Sequence, residues 1–242
     1  MNIKVVGVDL AKHVIQICAL SDSQKVLFNK AVSRSAFLDS LRSLPLTTVA
    51  MEACSTAHYW AREISQLGHK VLLIPAQHTK AFVRNGKSDA KDALAIAEAA
   101  QRPNIHFVPV KTIAQQDLML LHSAREALVQ QRTATLNRLQ SISGEYGVLL
   151  PKGAIKCLAA LTPTLEDAEN GLSFLARQML QEASEQWHYF STKLVAIERQ
   201  IKQLSKQQEA YTTLQSVPGI GPIIASTILA SIGNGECLSI LR

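Results

Sequence analysis

The spacing of strand-forming segments near the N-terminus limits the architecture more than any other feature of this sequence. Lys4-Val5-Val6-Gly7-Val8-Asp9-Leu10 is rich in β-branched residues and reads as a buried strand. Val14-Ile15-Gln16-Ile17-Cys18-Ala19-Leu20 reads as a second strand and Lys25-Val26-Leu27-Phe28 as a third. The gaps between them, Ser21-Asp22-Ser23 among them, are too short for the crossover that parallel neighbours need. The three segments are therefore expected to form antiparallel hairpins. A doubly wound dinucleotide-binding sheet is excluded, because its first strand runs directly into a helix.

Downstream the pattern alternates. A helix is expected from about Ser35 to Ser43, and Thr47-Thr48-Val49-Ala50-Met51 is a fourth strand. Ser55 is placed to cap a helix that stops at Leu67-Gly68. Lys70-Val71-Leu72-Leu73-Ile74 is a fifth strand closed by Pro75, and Ala-rich sequence from Asp89 to Ala100 is helical, ending before Pro103. Three hairpin strands followed by helix, strand, helix, strand and helix is the order of an α/β ribonuclease H-like (RuvC-like) domain, expected over residues 1–111.

The rest of the chain reads as helical. Residues 112–143 lack Pro and Gly, and Leu118, Leu121, Leu128, Leu136 and Leu139 supply an apolar stripe. Residues 144–171, with Gly144, Gly147, Pro151 and Pro163, read as a looser stretch. A long helix then spans about Leu172 to Gln208. In it Ala176, Leu180, Ala183, Trp187, Phe190, Leu194, Ile197, Ile201 and Leu204 alternate steps of 4 and 3. That is the seam of a coiled coil, so residues 112–208 are expected to be an all-α coiled-coil domain. Its partner is either the preceding helix or a second copy, and a homo-dimer or tetramer through the seam is one expectation. A third section, 209–242, opens a helical C-terminal domain.

Charge separates the two halves. Residues 1–111 carry 14 Lys+Arg against 8 Asp+Glu, whereas residues 112–242 carry 11 of each. The whole formal excess of +6 lies in the first half, which is therefore the part suited to a polyanion. With 18% charged and 47% hydrophobic residues the chain is not a disordered polyelectrolyte. Aromatics at 5% argue against a base-stacking platform. Cys18, Cys54, Cys157 and Cys237 form no C-x-x-C pair, which disfavours a zinc ribbon or a disulfide framework and fits a reducing cytoplasm. The N-terminus does not read as a signal peptide, and no apolar run reaches the ~18 residues of a membrane span.

Four acids stand out by position. Asp9 ends the first strand, Glu52 ends the fourth, and Asp89 and Asp92 lie three residues apart on one face of a helix start. Each alone has an ordinary role: a strand-end Asp turns the chain, and first-turn acids serve the helix dipole. In a ribonuclease H-like sheet, however, strands one and four are neighbours and the helix crosses their ends. Carboxylates gathered there repel unless a cation neutralises them. Hard oxygen ligands suit Mg²⁺, and two such ions roughly 3.5–4 Å apart serve phosphoryl transfer. Lys80, Arg84, Lys87 and Lys91 run towards the acids at spacings of 4, 3 and 4, and with Lys12 they are candidates for contacting phosphates. Pro218-Gly219-Ile220-Gly221 before an apolar helix is similar to the turn of helix-hairpin-helix elements, where the amides at Gly219 and Gly221 would meet a nucleic-acid backbone. Zinc-hydrolase and P-loop patterns are absent.

The segments Val6-Gly7-Val8-Asp9-Leu10-Ala11-Lys12, Met51-Glu52-Ala53-Cys54 and Arg84-Asn85-Gly86-Lys87-Ser88-Asp89-Ala90-Lys91-Asp92-Ala93 together resemble the DEDD transposases of bacterial insertion sequences. Pro218-Gly219-Ile220-Gly221-Pro222 resembles the start of that family's C-terminal transposase domain. The resemblance implies that Asp9, Glu52, Asp89 and Asp92 are a catalytic, Mg²⁺-binding tetrad. It further implies DNA as substrate, a bridge-type noncoding RNA as guide, and a bacterial cytoplasmic, nucleoid-associated protein. Family members carry a catalytic serine further along, so the chain reads as a C-terminally truncated copy. Ser231 and Ser239 are not substitutes for that serine. Three other readings stay open: a junction-resolving nuclease that needs only the four acids, a non-catalytic nucleic-acid-binding remnant, and, weakest, a sugar-kinase-like ATPase suggested by Gly7-Val8-Asp9.

Overall fold

A computed structural model describes residues 2–80 and 88–232. Arg84, Lys87 and Ser239 lie outside the described residues. The chain divides into two compact units, residues 1–112 and 113–242.

The first unit is built on a mixed five-stranded sheet. Its strands are β1 (Val5–Asp9), β2 (Val14–Leu20), β3 (Val26–Ser33), β4 (Thr48–Glu52) and β5 (Lys70–Ile74), in the order β3-β2-β1-β4-β5. β1–β2 and β2–β3 are antiparallel, and β1–β4 and β4–β5 are parallel. This follows from loop length, since only the later strands are separated by helices long enough to return the chain in the same direction. β3 runs to Ser33, five residues beyond the sequence expectation. Its partner β2 continues to Val14, and the ladder of Val14 with Ser33 and Ile15 with Val32 extends the polar stretch Asn29–Ser33 as strand.

Helices cover both faces. α1 (Phe37–Arg42) and α2 (Ala57–Gln66) contribute Phe37, Leu41, Trp60 and Ile64 to one core with Val6, Val8, Ile15, Ile17, Val49 and Met51. α4 (Asp89–Ala99) packs on the other face, where Ala93, Ile96 and Ala97 meet Val5, Cys18, Leu20, Ala50 and Ile74. A short helix, α3 (Ala76–Lys80), precedes it. α2 begins one residue later than expected: Thr56, not Ser55, is its N-cap, and no side-chain cap bond forms. Burial of Ala57, Trp60, Ala61 and Ile64 sets the start of this helix instead of the cap.

The second unit is helical. α5 (Ile113–Glu145) and α7 (Phe174–Ser205) run side by side and antiparallel, as the pairings Arg125–Glu198, Arg138–Gln186 and Ser173–Tyr146 require. Residues of the 4–3 seam are covered within the same chain: Ala176, Leu180, Ala183, Leu194 and Ile201 are buried. The stretch expected to be loose contains a helix, α6 (Ala154–Glu166). Gly153, at φ +91°, starts it, and Pro163 is accommodated inside it. Cys157 and Leu161 supply the apolar contacts that outweigh the proline. α8 (Glu209–Gln215) and α9 (Pro222–Ile232) form a hairpin in this unit around Tyr211, Ala225 and Leu229. No described helix is long and apolar enough to cross a membrane.

Candidate metal centre at the sheet edge

The site is set by strand ends. β1 and β4 are parallel neighbours with Val8 opposite Met51, so Asp9 and Glu52 follow one step later at the same edge of the sheet. α4 crosses that sheet with Asp89 and Asp92 in its first turn. Asp9, Asp89 and Asp92 each place a carboxylate oxygen within 4.8 Å of the others. Asp9 and Asp92 are half-buried and Asp89 is exposed, so the group is open to solvent on one side.

Gly7 makes this convergence possible. A Cβ at position 7 would lie 2.2 Å from the Ala93 carbonyl oxygen and 2.6 Å from the Ala97 amide nitrogen. Both are backbone atoms of α4 and cannot swing aside. The helix therefore rests directly on the β1 backbone, two residues before Asp9, with alanines on the contacting face. A glycine inside a β-branched strand is a legible signal of close backbone approach, although the approaching segment is not named by it.

Glu52 is not a member of the group within 4.8 Å. Its Oε2 accepts a 2.8 Å hydrogen bond from the hydroxyl of Thr79 in α3. Thr79 is 3% exposed and its hydroxyl is also 3.0 Å from the Ala76 carbonyl. Its single proton goes to the carboxylate, because a charged acceptor makes the stronger bond. Nothing in the sequence announces Thr79 as a partner of Glu52.

The first turn of α4 has a second support. Asn29 in β3 donates from Nδ2 to the Ala90 carbonyl at 2.8 Å, and its Oδ1 accepts from Gln16 Nε2 at 2.7 Å. Gln16 lies directly opposite Asp9 in the β1–β2 ladder. Sequence reasoning missed both residues, since an amide within a strand carries no mark of a bond 61 positions away.

The other predicted contact residues are dispersed. Lys12 is exposed in the β1–β2 connection and Lys91 is exposed on α4 between the two aspartates. Lys80 closes α3. Gly219 lies at φ +89° in the turn between α8 and α9, with open space around it, so conformation and not packing requires glycine. Gly221 has open space too, and its carbonyl accepts from the Ala225 amide in the first turn of α9. The hydroxyl of Ser231 bonds back to the Thr227 carbonyl at 2.8 Å.

Residues 6–146 match the transposase family of the DEDD IS110 type. This chain belongs to that family. It is 38% identical to a probable family 20 transposase of Pseudomonas aeruginosa, over 98% of this chain and 70% of the relative. Against the transposase for insertion sequence element IS1111A of Coxiella burnetii the identity is 34%, over 96% of this chain and 64% of the relative. The transposase for insertion sequence element IS1328 of Yersinia enterocolitica is 36% identical, over 97% of this chain and 70% of its own length. The chain of this transposase family thus spans about two thirds of the length of these relatives.

Proposed function

We propose that this chain carries the metal-dependent DNA-cleaving site of an insertion-sequence transposase, with Asp9, Glu52, Asp89 and Asp92 as its metal-holding acids. The observation that supports this most is the convergence of Asp9, Asp89 and Asp92, from two stretches of sequence some eighty residues apart, within 4.8 Å. Three carboxylates this close repel one another, and a divalent cation relieves that repulsion. All their ligand atoms are carboxylate oxygens, the donor type Mg²⁺ takes. Bound there, one or two Mg²⁺ ions would polarise a phosphate and activate a nucleophile for strand cleavage and transfer.

The chain's own residues do the rest. The acids hold and orient the cation. Thr79 fixes the direction of Glu52. Lys12, Lys80, Arg84, Lys87 and Lys91 neutralise phosphates, giving binding that weakens steeply with salt. The turn at Gly219 and Gly221 offers backbone amides to a second stretch of nucleic acid. Guidance by a bridge-type RNA, and assembly into dimers or tetramers, complete this reading.

Two measurements test it. Isothermal titration with Mn²⁺ should show binding by the wild-type chain, and Asp9→Asn or Asp92→Asn should weaken it at least tenfold while leaving the circular dichroism spectrum unchanged. Equal binding by these variants overturns the site. Cleavage of end-labelled branched DNA in Mg²⁺ then separates transposase from nuclease chemistry. Free 5′-phosphate nicks without any transferred strand favour the resolvase-like alternative, which asks nothing beyond the acids. A discrete structured RNA co-purifying with the chain supports guidance; bulk cellular RNA alone argues against it.

A further inference from the structure

We infer that Asn29 is a positioning residue for the acid cluster: from the outer strand β3 it tethers the first turn of α4 and so holds Asp89 and Asp92 over Asp9. The inference rests on the metal reading of that cluster. Its basis is where the first turn of α4 finds support. A helix start leaves amides and the local backbone free to fray unless something ties them. Ser88, the N-cap residue, has the extended backbone of a cap but makes no side-chain cap bond. The Gly7 contact grips the helix at Ala93 and Ala97, beyond the turn that carries the acids.

Asn29 supplies a tie at the right residue. Its Nδ2 donates at 2.8 Å to the carbonyl of Ala90, which lies between Asp89 and Asp92 in sequence. In helical geometry that carbonyl also serves the amide four residues on, and its second lone pair takes Asn29. The orientation of the Asn29 amide is set in turn, because its Oδ1 accepts from Gln16 at 2.7 Å. Gln16 stands opposite Asp9 on β2. A chain of two hydrogen bonds therefore runs from the strand position paired with Asp9 to the backbone between the two helical aspartates. Both ends of the cluster are referenced to one sheet, so the spacing of the carboxylates is fixed across three strands and not by α4 alone.

The test combines hydrogen exchange with Mn²⁺ titration on the full chain. Asn29→Ala should speed exchange of the Lys91–Leu94 amides about fivefold, the loss of one net hydrogen bond of roughly 1 kcal/mol, while amides of β1 and β4 stay unchanged. It should weaken Mn²⁺ binding by a similar factor. Asn29→Asp is the sharper variant: it keeps the shape and can still accept from Gln16, but a carboxylate cannot donate to Ala90. It adds a negative charge near the cluster, which by electrostatics alone would tighten cation binding, so weaker binding identifies lost positioning. Gln16→Ala should loosen binding in the wild type and have no further effect in the Asn29→Ala background, because Gln16 acts through Asn29. Unchanged exchange in Asn29→Ala overturns the tether. Faster exchange with unchanged Mn²⁺ affinity overturns its positioning role. Failure of the wild-type chain to bind Mn²⁺ would sink the metal reading instead, and exchange alone would then decide whether the tether exists.

Discussion

The docking of α4 onto the sheet and the docking of α7 along α5 solve the same packing problem in opposite ways. α4 meets β1 through a glycine and alanines, with backbone almost touching backbone. α7 meets α5 through side chains such as Leu139 and Leu180, with Leu161 of α6 and Leu172 completing the cluster, and through polar pairs such as Arg125–Glu198 at 2.8 Å. The first contact gains little apolar burial per residue but leaves no room for a side chain between helix and strand. The second gains stability and tolerates small shifts, because long side chains repack. A site whose acids must converge belongs on the first kind of contact.

Truncation should hurt the helical contact most. Leu139→Ala, at a fully buried position, is expected to cost about 2–5 kcal/mol from lost transfer energy and the cavity left behind. Trp60 and Trp187 are the chain's two tryptophans, one in each unit, so a Trp60→Phe background reports the helical unit alone. An early loss of Trp187 signal with Mn²⁺ affinity preserved is the expected result. A matching loss of Mn²⁺ affinity would break the contrast.

Enlargement should hurt the sheet contact. Gly7→Ala puts a methyl 2.2 Å from the Ala93 carbonyl, and overpacking against backbone is expected to cost about 1–3 kcal/mol. Its larger signature is functional: α4 must lift, and Mn²⁺ affinity should fall by more than the modest stability change implies. Wild-type affinity in this variant would mean that α4 does not set the acid spacing.

The smallest expected effect is a pH dependence present in both units. His58 in α2 accepts a hydrogen bond at Nδ1 from the Lys111 amide, and His122 in α5 lies 2.8 Å from the Ser226 hydroxyl. Burial holds both below the usual histidine range, and nearby Lys111 and Arg62 add to this at His58, as Arg125 does at His122. A histidine whose folded pKa is depressed contributes stability that is complete above its unfolded value of 6.5 and is lost as pH falls towards the folded value. Urea midpoints should therefore decline below about pH 6.5, and His58→Gln and His122→Gln should each flatten that decline in the unit that carries it. An unaltered slope in both variants would place the titration elsewhere.

Much of this was legible in the residues themselves. Short gaps forced hairpins among the first strands, apolar runs bounded by polar or Pro residues marked the five strands, and the 4–3 seam marked α7 as one long helix. The convergence of Asp9, Asp89 and Asp92 was legible because strand ends and a helix start are where such a sheet gathers its side chains. Less legible were the ends of elements. Asn29–Ser33 is strand because β2 pairs with it, and 154–166 is helix because Cys157 and Leu161 find a core. Local propensity speaks against the strand at Asn29–Ser33 and against Pro163 within the helix, and tertiary contact overrides it.

The sequence by itself determined strand direction, the positions of the acids along the chain, the basic bias of residues 1–111 and the family. All but the last follow from loop length, periodicity and residue type, which are local or additive; the family follows from the resemblance of its motif segments. Tertiary structure alone decided that Gly7 is the floor on which α4 rests, that Thr79 bonds to Glu52, and that Asn29 reaches the turn between Asp89 and Asp92. Each of these is a contact of a few ångströms between residues tens of positions apart. Such distances depend on how every intervening element packs, so no local pattern encodes them.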